Sequence, residues 1–337
     1  MKKITLLIAS LLFSFVTLLG QSKIDSLVQI GIKYHDNREY EKAIDAYKEA
    51  LKIEPKSALI NYELALTYMY SGDHEKCIEH SDVVIEQNDK YVLFAYTTKG
   101  SALDNLGKTE ESINLLEKAI EKLGGNYMLL YNLGVNYVKM NDYEKAEPIL
   151  IEAIKDNANH ASSHRLLAII KSNQNQRVQS LLGLYYFLFL EPESQRAKTA
   201  FELLKKQFKS DIPVEKGDGN NVYVTLDSRH ADSEFSPAET MIALLEAMNF
   251  TDEKEGKSAE EIFISNTKMI FSILGELKGQ DKDGLWWDFY VPFFYELAKS
   301  DYLDVFCYYI SLSSNENAVE WLESNIEKLE GFKKWLE

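Results

Sequence analysis

Cationic side chains and cysteine are both scarce in this 337-residue sequence: 37 lysines and arginines stand against 53 aspartates and glutamates, and only two cysteines are present. The formal net charge is −16. A surface of that sign repels polyphosphate backbones and anionic lipid headgroups, so nucleic acid is not an expected partner. Cys77 and Cys307 each sit inside an apolar helical pattern, which points to buried free thiols rather than a disulfide framework. A bridge between them would require the C-terminal half to fold back onto the chain around Cys77.

Long apolar runs are nearly absent too. The one present, Ile4 to Gly20, follows Lys2 and Lys3 and ends at Gly20-Gln21-Ser22, a small-x-small pattern. It reads as an export signal over residues 1–22, at the short limit for crossing a bilayer. No cysteine lies at its end to carry a lipid, and no second run is long enough to span. The mature chain is therefore expected outside the inner membrane, periplasmic or extracellular in a bacterial cell envelope, and not integral to a membrane. Its net charge would be about −18 once the two lysines are removed.

Motifs that carry chemistry are missing as well. Gly107-Lys108-Thr109 resembles the end of a phosphate-binding loop, but six residues separate Gly100 from Gly107 where four are needed. His160 and His164 share a helical face at a spacing that a metal could bridge, yet the glutamate of a zinc protease motif is absent. Solvated histidines at a helix start are the simpler expectation there. With no nucleophile elbow and no distinctive carboxylate pair, neither catalysis nor a cofactor or metal is expected.

What the sequence does contain is a period of 34 or 35 residues. Small residues recur at Gly31, Ala65, Gly100, Gly134 and Ala168. Twelve residues after each comes a second small series, Ala43, Cys77, Ser112, Ala146 and Ser180, and nineteen after each a third, Ala50, Val84, Ala119, Ala153 and Phe187. Rings follow three residues after the anchor at Tyr34, Tyr68 and Tyr137, with Leu103 and Lys171 as departures. Small residues let two antiparallel helices approach closely, and rings fill the space between one pair and the next. Five such pairs stacked give one continuous core.

The segment YEKAIDAYKEALKIEP, Tyr40 to Pro55, resembles the second helix and closing turn of the tetratricopeptide repeat family, and LLYNLGVNYVKMNDYEKAEPILIEAI, Leu129 to Ile154, is similar along both helices. The resemblance implies an all-α fold, a helix-turn-helix superhelix of about five repeats followed by a smaller helical C-terminal domain. The corresponding boundaries are 23–192 for the repeats, 193–210 for a capping helix, 211–236 for a linker and 237–337 for the last domain. The fifth unit departs most, with Lys171, Arg177 and Phe187 at packing positions, and its tail LLGLYYFLFLEPES is apolar on all sides. The C-terminal half is expected to dock on it.

Residues 211–235 read as a loop with a short alternating stretch at Val222 to Leu226, and helical patterns resume at Ser236-Pro237. The expected helices are 237–249, 258–278, 292–299, 301–312 and 315–335. The stretch LWWDFYVPFFYELA carries seven rings between Trp286 and Tyr295. Rings on every side of a helix belong in a core, although Trp286, Trp287 and Tyr290 could also stack on sugars. This half also resembles the C-terminal regions of exported tetratricopeptide proteins of Bacteroidetes bacteria.

In the fold so implied, the first helix of each pair lines a concave face. The positions not used for packing are Val28, Ile32 and His35, then Tyr62, Leu66 and Met69, then Thr97, Ser101 and Asp104, then Tyr131, Val135 and Val138, and finally Arg165 and Ile169. That groove is mostly apolar with one polar interval, and it lacks the lysines and asparagines with which chaperone-binding relatives hold a C-terminal carboxylate. The expected partner is a protein or peptide segment, held by Val28, Ile32, Tyr62, Leu66, Met69, Tyr131, Val135, Val138, Arg165 and Ile169. The expected role is an exported scaffold or adaptor; a glycan-binding accessory protein is the alternative.

Overall fold

A computed structural model of the chain describes residues 23–208, 214–216, 222–224, 234–248, 256–279 and 281–337. The expected export signal, residues 1–22, lies outside the described residues, as does most of the expected linker. Helix α1 covers residues 23–36. It is followed by α2 (Tyr40–Leu51), α3 (Ala58–Ser71), α4 (His74–Gln87), α5 (Val92–Asn105), α6 (Thr109–Leu123), α7 (Tyr127–Lys139), α8 (Tyr143–Asp156), α9 (Ala161–Asn173) and α10 (Arg177–Leu190).

These ten helices form five pairs, and one local device closes every pair. The residue seven places after each anchor has a left-handed backbone: Arg38 (φ 62°), Gly72 (88°), Gly107 (77°), Asn141 (58°) and Asn175 (58°). The next residue then donates its amide back to the carbonyl three places after the anchor: Glu39 to Tyr34 (2.8 Å), Asp73 to Tyr68 (3.0 Å), Lys108 to Leu103 (2.9 Å), Asp142 to Tyr137 (2.9 Å) and Gln176 to Lys171 (2.8 Å). This six-to-one bond satisfies a carbonyl that the helix end leaves open and turns the chain toward the second helix. Gly107 is thus a turn residue, which accounts for the resemblance to a phosphate loop.

All fifteen small-residue positions of the three series are buried. A Cβ on Gly31 would stand 2.4 Å from the Tyr47 ring, and one on Gly183 would stand 2.9 Å from the Ala168 Cβ, so these pairs are in contact at closest approach. Packing therefore joins α3 to α4, α4 to α5, α5 to α6 and α6 to α7, and the first helices α3, α5 and α7 also touch in series. Cys77 and Cys307 are buried free thiols.

The chain divides into two compact units, the first ending at Ile149 and the second running from Leu150 to Glu337. The second holds the end of α8, α9 and α10, then α11 (Gln195–Gln207), the antiparallel strands β1 (Val214–Lys216) and β2 (Val222–Val224) in register Val214 with Val224, and α12 (Ser236–Ala247). It continues with α13 (Ala259–Leu277), a π-helical turn Trp286–Tyr290, α14 (Val291–Lys299), α15 (Leu303–Ile310), α16 (Ala318–Ser324) and α17 (Ile326–Leu336). Ser258 opens α13 with a capping box, its hydroxyl accepting from the Glu261 amide (3.1 Å) while Glu261 accepts from the Ser258 amide (2.8 Å).

The C-terminal elements α12, α15 and the π-turn pack on α10, as its all-round apolar surface requires. Tyr185 of α10 is fully buried, hydrogen-bonds Thr267 at 2.7 Å and meets the rings of Phe271, Phe294 and Phe306 within 4.8 to 6.1 Å. The unusual residues of the fifth pair take part in this docking. The Lys171 ammonium lies 5.7 Å over the Trp286 ring and donates to Gln176. Arg177 faces Glu239 of α12 at 3.8 Å, and that carboxylate also accepts the Val178 amide (3.2 Å).

Candidate functional site

In the first unit the first helices of the pairs, α1, α3, α5 and α7, pack in series. Of the positions expected to line a concave face, Val28 is 4% exposed and belongs to the core with Ile24, Tyr47, Leu64 and Tyr68. Ile32, Tyr62, Leu66, Met69, Tyr131, Val135 and Val138 are half-buried, a state that leaves part of each side chain accessible. Ile32 and Met69 also pack on that core. Arg165 and Ile169 are half-buried on α9 and belong to the second unit.

Two ring clusters stand at the ends of α3. Near its start Tyr62 stacks on Tyr91 (centroids 5.5 Å, 15°) and meets Phe94 at 5.7 Å. Phe94, in the first turn of α5, is 38% exposed. Near the end of α3 Tyr70, 62% exposed, lies 5.3 Å from His35 and 6.3 Å from Tyr40. Tyr91, Phe94 and Tyr70 fall outside the repeat-phase set, because Tyr91 precedes its helix and the others lie off the positions that the anchors define. Their signal in the sequence is Tyr91 and Phe94 three apart at a helix start.

Polar side chains tie these first helices to one another. Thr67 donates its hydroxyl to the Glu63 carbonyl (2.7 Å), so the 2.9 Å contact between His35 Nδ1 and Thr67 Oγ1 must be donated by the imidazole. Burial lowers the His35 pKa and so favours the neutral ring, while the Thr67 bond places its proton on Nδ1. Between α5 and α7, Ser101 bonds Asn132 at 3.0 Å, and the Lys139 ammonium reaches both the Asp104 carboxylate (2.8 Å) and its backbone carbonyl (3.0 Å). Thr109 donates to the same carboxylate at 2.8 Å. The polar interval of the sequence is therefore a set of cross-helix bonds, and the apolar rings lie to the α3 side of it. Glu63 is held above the usual carboxylate range by burial, partly offset by the Tyr47 hydroxyl. The Tyr62 phenol is raised by burial first and by Glu63 second.

The other candidates resolve differently. His164 is fully buried rather than solvated, because the C-terminal half covers it. Its Nε2 lies 2.8 Å from the Ala158 carbonyl, which can only accept, so Nδ1 is unprotonated and accepts from the Tyr290 hydroxyl at 2.6 Å. Both ring nitrogens thus have protein partners, and no group of three or more His, Cys, Asp or Glu side chains fit for a metal occurs among the described residues. The rings offered as a sugar platform are core: Trp286 is 8% exposed, Trp287 1% and Tyr290 0%. Trp287 stacks on Phe235 at 4.8 Å and donates its indole N–H to Glu234 (2.7 Å). No described helix is long and apolar enough to cross a membrane.

Two repeat-family models match parts of the chain. The TPR repeat family matches residues 31–72 and the tetratricopeptide repeat family matches residues 106–170. The photosystem I assembly protein Ycf3 of Prochlorococcus marinus is 32% identical over 27% of this chain and 58% of its own length. The heat-shock protein cognate co-chaperone sgt12 of Aspergillus fumigatus is 32% identical over 30% of this chain and 29% of its own length. The chain thus spans less than two thirds of these curated relatives. Among solved structures, a thermophilic TPR protein of Thermus thermophilus shares 18% identity over 55% of this chain and 98% of its own (TM-score 0.47). The pilF protein of Pseudomonas aeruginosa shares 19% over 56% and 86% (TM-score 0.48).

Proposed function

We propose that this chain, whose N-terminal half is built of tandem tetratricopeptide repeats, is an exported scaffold that holds an extended segment of a partner protein along its first-helix layer. Tetratricopeptide repeats generally mediate protein–protein interaction, so the coarse class follows from the fold. The finer reading rests on one observation above all: stacked, partly exposed rings at Tyr62, Tyr91 and Phe94 beside the half-buried Leu66 and Met69. Rigid rings lose little conformational freedom on binding and commonly dominate interface energy. Export and an envelope location rest on Lys2, Lys3 and the apolar run that follows. Catalysis has no residue set to support it.

The test is site-specific photo-crosslinking in the native host. A photoreactive residue at Phe94 or Tyr62 is expected to capture the same partner segment, while one at Glu79, exposed on α4, captures none of it. Tyr62→Ala with Phe94→Ala should weaken that partner at least about tenfold, the loss of one ring anchor or more. Equal capture from Glu79, or unchanged affinity in the double variant, overturns the reading.

A further inference from the structure

A cavity of about 500 Å³ opens in the second unit between α11, α13 and the end of α15. Its walls are Phe201, Phe208, Ile262, Phe263 and Tyr308, with Ser314, Asn266 and Asn315 adding polar groups. That size and mixture match a small-molecule site, apolar in body with few polar fixtures. The Ser314 hydroxyl in this wall is buried and has no protein hydrogen-bond partner among the described residues, so it is available to a bound polar group.

Charge decides which molecule the cavity favours. Three charged side chains stand at its rim: Lys205, Glu260 and Glu316. Lys205 is already engaged, paired with Glu202 at 2.7 Å and lying 5.4 Å over the Phe201 ring. No cation among the described residues pairs with Glu260 or Glu316. The Tyr308 phenol responds to this field: burial raises its pKa first, and Glu260, Glu261 and Asp304 raise it further. An anionic head would meet two uncompensated carboxylates, and a neutral head would leave them as they are. A cationic head would gain both carboxylates and the faces of Phe263 and Tyr308, which attract positive charge.

We propose that this cavity is a binding site for a small amphipathic amine, its apolar body against Phe201, Phe208 and Phe263 and its ammonium toward Glu260 and Glu316. The site is independent of the peptide-binding reading of the first unit, so either can fail alone.

Three probes that share one apolar body separate the possibilities: 4-phenylbutylamine, 4-phenylbutanol and 4-phenylbutyrate, titrated calorimetrically into the full chain. The amine is expected to saturate at one site, the alcohol to bind at least about tenfold more weakly, and the carboxylate to give no saturable heat. Glu260→Gln with Glu316→Gln, exposed or half-buried changes that leave the core intact, should bring the amine down to the alcohol's affinity and leave the alcohol unchanged. Trp321 stacks on Tyr308 at 4.0 Å and supplies a local signal, so amine binding should alter fluorescence in the parent and not in Trp321→Phe. Equal binding of amine and alcohol, an unchanged amine affinity in the double variant, or no saturable amine heat overturns the proposal.

Discussion

Arg38 holds a left-handed backbone position that the four equivalent turns give to glycine or asparagine. A Cβ in that conformation costs roughly 1–2 kcal/mol, and glycine returns part of the gain through its larger unfolded-state entropy. Arg38→Gly is therefore expected to raise stability by about 0.5–1 kcal/mol, and Gly107→Ala, with no compensating neighbour, to lower it by about 1–2 kcal/mol. Urea denaturation measures both, and a neutral Gly107→Ala would refute the shared turn geometry. His164 makes a second residue-scale prediction. Burial depresses its pKa to about 4 from an ordinary 6.5, the Ala158 carbonyl opposing only in part. Above pH 6.5 the neutral ring suits folded and unfolded chains alike. As pH falls from 6.5 toward 4, only the unfolded chain takes up the proton, so stability is lost through that window. The contribution is about 2 kcal/mol between pH 7 and pH 5, and His164→Asn should remove that part of the slope.

Arg177 and Glu239 tie the fifth pair to α12, with side chains only 8% and 7% exposed. Breaking a buried pair from one side removes a partner that offset the cost of burying the remaining charge. Glu239→Ala is expected to cost about 3–5 kcal/mol and to speed amide exchange in α12 and the start of α10, whereas Arg177→Met with Glu239→Leu recovers most of the loss. Exchange that rises equally in α3 and α4 would refute this local assignment. The same pair shows where the sequence was legible. Lys171 and Arg177 stood out as breaks in a 34-residue rhythm, and both turn out to meet C-terminal residues. Periodicity reveals what every repeat shares, which is why the small-residue series and the helix pairs could be read directly. It is silent on what one repeat adds, so Tyr91 and Phe94 went unseen. Beyond the repeats only local signals remained. They placed α12 through α15, but the expected helix 315–335 divides at Asn325, and the π-turn at Trp286–Tyr290 had no sequence marker. Solvation of His164 was misjudged because a local reading of Ala158 to Arg165 contains nothing of Tyr290, 126 residues on.

At the scale of the molecule, the unit boundary between Ile149 and Leu150 falls inside α8, not at the end of the repeat array. The fifth pair therefore shares a unit with the C-terminal helices, and the ring-rich core around Tyr185 belongs to that unit. Each unit has its own buried apolar core, the physical requirement for unfolding separately. The sequence supplies a built-in way to tell them apart, because its four tryptophans, at 286, 287, 321 and 335, all lie in the second unit. Tryptophan emission reports that unit alone, whereas far-ultraviolet circular dichroism reports helices of both. The two probes are expected to trace different urea transitions. Arg38→Gly should move the dichroism curve and leave emission where it was, and Glu239→Ala should shift emission to lower urea with a smaller change in the remaining dichroism step. Coincident curves that move together in both variants would mean that folding couples the two units as a single cooperative body, and would require strain or charge in one to be felt throughout the other.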